Sequence, residues 1–438
     1  MARRDRGAPR RRRHAAAPYP RHQAGGLTGR PRPPAAPRRP AAGPSPDRPG
    51  RRCLHTVERD EELSRLDAVL AGCRRGAGGA ALVSGAVASG KTELLHAFTE
   101  RAVAAGALYF EAGRHLGDPA GLTEGLLRGL ELFVEETGRP GPGVPARPRP
   151  GEAGPPAAET ARRLHAQLLA LAEREPVVVG VDDTHRVPPA ALRDLLGVAR
   201  RLRTAPVMMI FTDAGAAHPG HGVLHEELSR LPGTPLLRMR PLSLDGAFRL
   251  FARRLGAERA GRLAARGLAV TGGSPLLLRG LLADQRENGT GAADRLEVGA
   301  GFEHAVLDCL GRGDEDARRL AAAVAVLGDA ATAPLAAELL GWSEPALAAT
   351  LDALGRAGLL DAMRFRHLAA RAAVLTAMDA DERTGLHLRA ARLLYRKGAR
   401  AADVAHHVTA ASHWVALEHL AQEGNSGAAG ETMTSRAD

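Results

Sequence analysis

Lysine is almost missing from this chain: two residues, Lys91 and Lys397, stand against 58 arginines in 438 positions. A position that keeps lysine in such a background calls for what a guanidinium fork cannot do. Cysteine is scarce as well. Cys53, Cys73 and Cys309 lie far apart, which implies neither a disulfide framework nor a zinc-type ligand spacing. No run of about 18 apolar residues occurs, so no transmembrane helix is expected. There is no G-x-S-x-G nucleophile motif and no metal-ligand cluster in the sequence. The adjacent His406 and His407 are expected to point in different directions on a helix and to form no site. A reducing cytoplasm and no membrane partner fit these absences.

What is present begins at Lys91. The octet Gly85-Ala86-Val87-Ala88-Ser89-Gly90-Lys91-Thr92 fits the phosphate-loop pattern G-x-x-x-x-G-K-[ST]. A loop that wraps a triphosphate needs a slim point charge reaching between the β- and γ-phosphates, and lysine supplies it. The apolar stretch Ala80 to Ser84 precedes the loop and reads as a buried parallel strand. Leu94, Leu95, Ala97 and Phe98 follow at helical spacing. In this strand–loop–helix context the loop N–H groups face the phosphates at a helix N-terminus, and Thr92 places its hydroxyl on Mg²⁺.

A second nucleotide signal is Val177 to Val181 followed by Asp182-Asp183, about 90 residues downstream. Buried apolar residues ending in an acid describe a Walker B strand. Asp182 is expected to hold Mg²⁺, directly or through water, because Mg²⁺ prefers hard oxygen ligands. Asp183 is the candidate to orient or deprotonate the attacking water. Thr212 ends the next strand, either as a γ-phosphate contact or as a plain strand-end threonine. His185 reads equally as a cap or surface residue and as a catalytic one. Arg201 and Arg203 precede that strand and stand as candidates for a trans-acting arginine finger. Gly272-Gly273-Ser274-Pro275 opens a helix, with capping and packing against the nucleotide base or ribose both open.

Charge is unevenly spread. Residues 1–52 hold 15 arginines and 2 acidic residues, which leaves 45 basic and 47 acidic residues for the remainder. The net charge of +11 thus belongs to the tail, and the body gives no electrostatic reason to bind DNA. Rich in Arg, Pro, Ala and Gly, the tail is expected to be disordered. Two readings of it stay open: a charge-based contact to nucleic acid or anionic lipid, or a non-functional extension from an upstream start codon.

Strands alternating with helices predict a doubly wound parallel sheet over 53–243, with strands at 80–84, 107–110, 177–181, 206–212 and 236–239. A Pro/Gly/Arg-dense insertion at 138–156 interrupts it. A helical lid is expected at 244–300 and a winged-helix-like domain at 301–372, the latter from a helix at 345–357 followed by a small hairpin at 358–361 and 363–366. A helical-repeat start at 373–421 and a disordered end at 422–438 complete the expectation.

The order Val57-Glu58-Arg59-Asp60-Glu61-Glu62-Leu63, phosphate loop, Val181-Asp182-Asp183-Thr184-His185, Gly273-Ser274-Pro275, Phe365-Arg366-His367 resembles the large ATP-binding regulators of the LuxR family, within the STAND branch of AAA-like P-loop ATPases. The resemblance covers roughly residues 55–415 and implies an ATPase core, helical lid, winged helix and helical repeats. It implies ATP/ADP exchange with Mg²⁺ as a slow, switch-like ATPase, with self-association in the ATP state. By position it puts Gly85 to Thr92 on the phosphates, Thr92 and Asp182 on the metal and Pro275 near adenine. His367 is placed on the β-phosphate, locking a closed ADP state. Arg186 and Asp213 depart from the family, which commonly has Trp and Arg there, and Asp213 is expected to slow hydrolysis by repelling a γ-phosphate. The family usually ends in a helix-turn-helix, of which the chain up to Asp438 shows no sign. A protein truncated before its DNA reader is therefore expected, the alternative being a stand-alone or nucleic-acid-associated ATPase.

Overall fold

The computed structural model describes residues 56–112, 121–138, 157–215, 221–287 and 295–412. The Arg-rich tail, all but the first residue of the expected insertion and the C-terminal end fall outside them.

The N-terminal part alternates helices and strands: α1 (Asp60–Arg74), β1 (Gly79–Gly85), α2 (Lys91–Ala104), β2 (Leu108–Ala112), α3 (Gly121–Thr137), α4 (Ala157–Ala172), β3 (Val177–Val181), α5 (Pro189–Arg201), β4 (Val207–Asp213), α6 (His221–Ser229) and β5 (Leu236–Met239). All five strands expected from the sequence are present, with β2 moved slightly toward the C-terminus. Three helices, α3, α5 and α6, had no sequence expectation. A helical stripe is nevertheless there in α5, where Leu192, Leu195, Leu196 and Ala199 are buried behind a proline in the first turn.

The strands form one parallel sheet in the order β2-β3-β4-β1-β5. Successive side chains of a strand point to opposite faces, and here both faces are covered. Ala80, Leu82, Val177, Val179, Val181, Met209 and Phe211 enter a core with α3 to α6. Ala81, Val83, Val178, Met208 and Ile210 enter another with α1 and α2. This double burial explains why the strands read as continuous apolar runs rather than alternating ones.

The C-terminal part is helical: α7 (Leu244–Leu255), α8 (Ala257–Thr271), α9 (Pro275–Glu287), α10 (Ala300–Arg312), α11 (Glu315–Leu327), α12 (Ala333–Leu340), α13 (Glu344–Arg356), then β6 (Leu360–Asp361) and β7 (Arg364–Phe365), α14 (Leu368–Ala377) and α15 (Ala380–Arg396). Residues 401–412 form a further helix. Antiparallel pairing of β6 with β7 puts a two-residue-strand hairpin where one was expected. Local sequence sets several starts. Ser243, Asp314 and Thr332 accept hydrogen bonds from Gly246 N (3.2 Å), Ala317 N (2.7 Å) and Leu335 N (3.4 Å), satisfying N–H groups that a helix leaves unpaired.

One apolar core runs through all these helices, from Phe251 and Leu278 through Phe302 and Leu320 to Leu394. Val57, from the segment before α1, is buried in it, and Val87 and Ala88 of the phosphate loop pack against it. No described helix is long and apolar enough to cross a membrane.

The adjacent histidines point in different directions, as expected: His406 is exposed and His407 buried, and no group able to hold a metal forms among the described residues. His407 is buried and its Nδ1 lies 3.0 Å from Nδ1 of His387 in α15. The His406 ring stands 6.5 Å from His387 and 5.3 Å from His407. Neighbours on one helix thus meet a third ring on another element, which spacing along a single helix does not reveal.

Candidate nucleotide-binding site

The phosphate loop joins the C-terminal end of β1 to α2. Gly90, at φ 92°, is in the left-handed region that glycine adopts freely. Gly85 needs its missing side chain for space, since a Cβ there meets Met239 Cβ at 2.7 Å and Ser89 Oγ at 2.8 Å. Ala88 sits at φ 62°, a left-handed conformation that costs a non-glycine residue about 1–2 kcal/mol.

Lys91 is only 6% exposed. Its ammonium donates to the Gly85 and Ala86 carbonyls, both at 2.9 Å, and so curls the loop around itself. Burial holds its pKa below the ordinary lysine value, against the opposing pull of Asp183, Asp182 and Asp213. The cation is therefore desolvated and surrounded by acids.

Because β4 lies between β1 and β3, the loop and the acidic strand end face each other across it. The Thr92 hydroxyl donates to Asp182 Oδ2 at 2.8 Å. Thr212, fully buried, donates its hydroxyl to Asp182 Oδ1 and accepts from Asp183 N at 2.9 Å. Its proton is thus committed to holding Asp182. Asp183 occupies a left-handed conformation, φ 49° and ψ 50°, and starts the short turn carrying Thr184 and His185. His185 Nδ1 is 3.9 Å from Asp183 Oδ1. Asp213 is buried opposite Ser84, and its Oδ1 accepts from Gly215 N at 2.8 Å. That turn gives the departing acid a backbone partner.

Val87 to Glu93 line a cleft with Asp183, His185, Pro275, Leu276, Arg279 and Arg312. Six of the eight loop residues named from sequence, with Asp183 and Pro275, are brought together there, and Asp182 is tied to it through Thr92. His367 is not among the cleft residues. It caps α14, its Nδ1 accepting from Ala369 N at 3.1 Å and its ring standing edge-on to Phe302. Burial also lowers its pKa, so it is held as a neutral cap.

The residues fit a Mg-nucleotide. A buried ammonium, a hydroxyl and a carboxylate already meet, and the Ser89 hydroxyl is buried in the loop with no hydrogen-bond partner among the described residues. An anion at a helix N-terminus is the ligand such groups suit.

Several contributors were not legible. Glu93 pairs with Arg279 across 186 positions. Burial raises the Glu93 carboxyl, but the Arg279 charge and hydrogen bond outweigh it and leave its pKa lowered. Arg59 is 6% exposed and donates to Arg240 O at 2.6 Å and Ser89 O at 3.5 Å. Glu58 accepts from Ser243 N at 2.9 Å and from the Ser243 hydroxyl. The segment before α1 thus binds the phosphate loop to the start of the helical part. Its Glu58-Arg59 pair was visible in the sequence, but its targets were not.

A parallel sheet ordered β2-β3-β4-β1-β5, a phosphate loop after β1 and a metal-type carboxylate after β3 define a P-loop ATPase core. In agreement, residues 55–210 match the model of the AAA ATPase domain. Solved structures similar to the chain include a signal transduction ATPase with numerous domains carrying a tetratricopeptide repeat sensor, from Pyrococcus horikoshii (16% identity, TM-score 0.35, 81% of this chain and 48% of that one). The present chain spans about half of that protein's length. Others are a Walker-type ATPase of Pyrococcus abyssi (15%, TM-score 0.46, 73% and 96%) and the ORC2 protein of Aeropyrum pernix (17%, TM-score 0.46, 79% and 98%). No curated protein matches the chain.

Proposed function

We propose that this protein is an ATP-binding switch of the signal-transducing kind, related to LuxR-type regulators, in which exchange of ADP for ATP controls assembly. The observation that carries the reading is the Lys91–Thr92–Asp182 arrangement closed against residues of the helical part. Lys91 and the loop amides would hold the β- and γ-phosphates. Thr92 and Asp182 would hold Mg²⁺, which supplies charge neutralisation on the phosphates. Thr212 positions Asp182, and Asp183 is the group placed to orient a water.

A switch requires that its two states bind ATP and ADP differently. Here the cleft takes walls from both parts of the chain, so a change in phosphate number acts on both. The buried, turn-bonded Asp213 agrees with slow hydrolysis, and self-association belongs to the ATP state. The winged-helix reading of α10 to α14 and the helical-repeat reading of α15 and residues 401–412 belong to the same proposal.

Identifying the nucleotide that co-purifies with the full chain tests it: bound ADP or ATP is expected, with turnover of less than about one per minute at typical enzyme barriers shifted upward. Sustained turnover of many ATP per minute without a partner would instead favour a stand-alone ATPase.

A further inference from the structure

Helix α7 opens the helical part, and its cap is shared with a distant residue. Ser243 is the N-cap, and its hydroxyl accepts from Gly246 N at 3.2 Å. In a capping box the third helical residue is Glu or Gln, whose side chain reaches back to the N–H of the cap. Here that position is Gly246, which has no side chain to offer. The missing carboxylate comes from Glu58, 185 positions upstream. Its Oε2 accepts from Ser243 N at 2.9 Å, and its Oε1 accepts from the Ser243 hydroxyl. A Cβ on Gly246 would stand 2.5 Å from Oε2, so the glycine keeps open the space that the distant carboxylate fills.

The other side of this contact reaches the phosphate loop. Glu58 holds a left-handed backbone, φ 57°, which non-glycine residues seldom adopt. Arg59 secures it: its guanidinium donates to Glu58 O at 3.0 Å, to Arg240 O at 2.6 Å and to Ser89 O at 3.5 Å. Val57, one residue earlier, is buried in the helical core. Three consecutive residues thus grip the helical core, the start of α7 and the phosphate loop. The Ser89 carbonyl and the Gly90 N–H belong to one planar peptide. An anion that draws the loop N–H groups toward itself therefore also sets where the Ser89 oxygen points.

We propose that Glu58 is the positioning residue through which occupancy of the phosphate loop reaches the helical part, acting as a cap lent to α7 by the segment before α1. The proposal rests on the nucleotide reading above and deepens it with a path: phosphate, Ser89 peptide, Arg59, Glu58, Ser243. An occupied loop fixes the Ser89 oxygen on Arg59, and Arg59 steadies Glu58 on α7. A loosened loop weakens that cap.

Amide hydrogen exchange of the phosphate loop and of the first two turns of α7 tests this, measured with and without saturating MgADP. The full chain is compared with its Glu58→Ala and Gly246→Glu variants. Gly246→Glu completes the capping box within α7 and expels Glu58. In the unaltered chain MgADP is expected to slow exchange in both segments. Without nucleotide, Glu58→Ala should speed exchange at the start of α7 about 2–30-fold, the range of a lost helix cap, and Gly246→Glu should not. In both variants MgADP should still slow exchange of the loop but leave α7 unchanged. A merely structural cap gives another result for Gly246→Glu: α7, capped again, responds to MgADP as before, and that outcome overturns the proposal. So does an unaltered chain whose loop is protected by MgADP while α7 is indifferent to it. A loop that MgADP does not protect in the unaltered chain overturns the nucleotide reading, and this proposal with it. Should Glu58→Ala fold poorly, Gly246→Glu alone decides.

Discussion

Lys91 performs two tasks with one charge. Its ammonium ties the Gly85 and Ala86 carbonyls together, and it waits, desolvated, among three carboxylates. Replacing it with alanine is expected to weaken MgATP by about 100-fold or more, the upper end for a charged hydrogen-bond donor. Lys91→Arg should bind nearly as poorly, because the wider fork does not fit between two carbonyls 2.9 Å away; titration with MgATP measures both. Thr212 offers a separable test. Thr212→Val keeps the shape but leaves the Asp183 N–H and one Asp182 oxygen without this partner. A loss of about 1 kcal/mol in urea-unfolding stability is expected for the two bonds lost, since Asp183 N still donates to Asp182 Oδ1 at 3.1 Å. Lys91 and Thr92 were legible because a motif fixes them by local spacing. Arg279 and Arg312 were not, since in a chain with 58 arginines nothing local distinguishes those that line the cleft.

Between elements, one tight joint is where the hairpin β6–β7 meets the turn from α8 to α9. Gly358 has φ 85°, and a Cβ there would lie 1.9 Å from the Thr271 carbonyl oxygen. Gly358→Ala is therefore expected to cost about 3 kcal/mol or more, read as a lower urea midpoint, because a backbone oxygen cannot step aside like a side chain. A second joint is titratable. Burial first, and the neighbouring imidazoles with Arg383 and Arg371 next, push His387 down to about 4. His407 is likewise pushed to about 4 by burial, His406 and Arg371, with Asp403 opposing. The unfolded chain, whose histidines keep a pKa of about 6.5, takes up protons first as pH falls. The contribution of this pair to stability is therefore complete above that value and is lost progressively down to about 4. Circular dichroism of the full chain between pH 7 and 4 should show it. His387→Phe, which removes one titrating ring and keeps an aromatic in place, should flatten the profile between about 6.5 and 4. The strand ends and the hairpin were foreseen because buried apolar runs and turn residues are local signals. The contact of His407 with His387 was not foreseen, because the two lie 20 positions apart.

Taken together, the described residues form three apolar cores, two sandwiching the sheet and one uniting the helices. The cleft lies where the phosphate loop touches the last of these. A ligand that bridges such a boundary stabilises both sides by mass action, by about 2.7 kcal/mol at a free concentration 100 times its dissociation constant. MgADP is thus expected to raise the melting midpoint of the full chain, and to do so much less in Lys91→Ala. A midpoint unmoved by saturating MgADP would count against a cleft shared by the two parts.

The sequence by itself settled the strands, the phosphate loop, the acid that follows β3 and the helical character after Asp245, because each is written in short-range pattern and residue type. It left open the order of the strands and the neighbours of every charged group. Placing β4 between β1 and β3 is what brings Thr92 to Asp182, and folding α9 and α10 over the loop is what delivers Arg279 and Arg312. Those contacts span about 90 to more than 200 positions. They depend on which apolar faces find one another, and no local spacing encodes that choice.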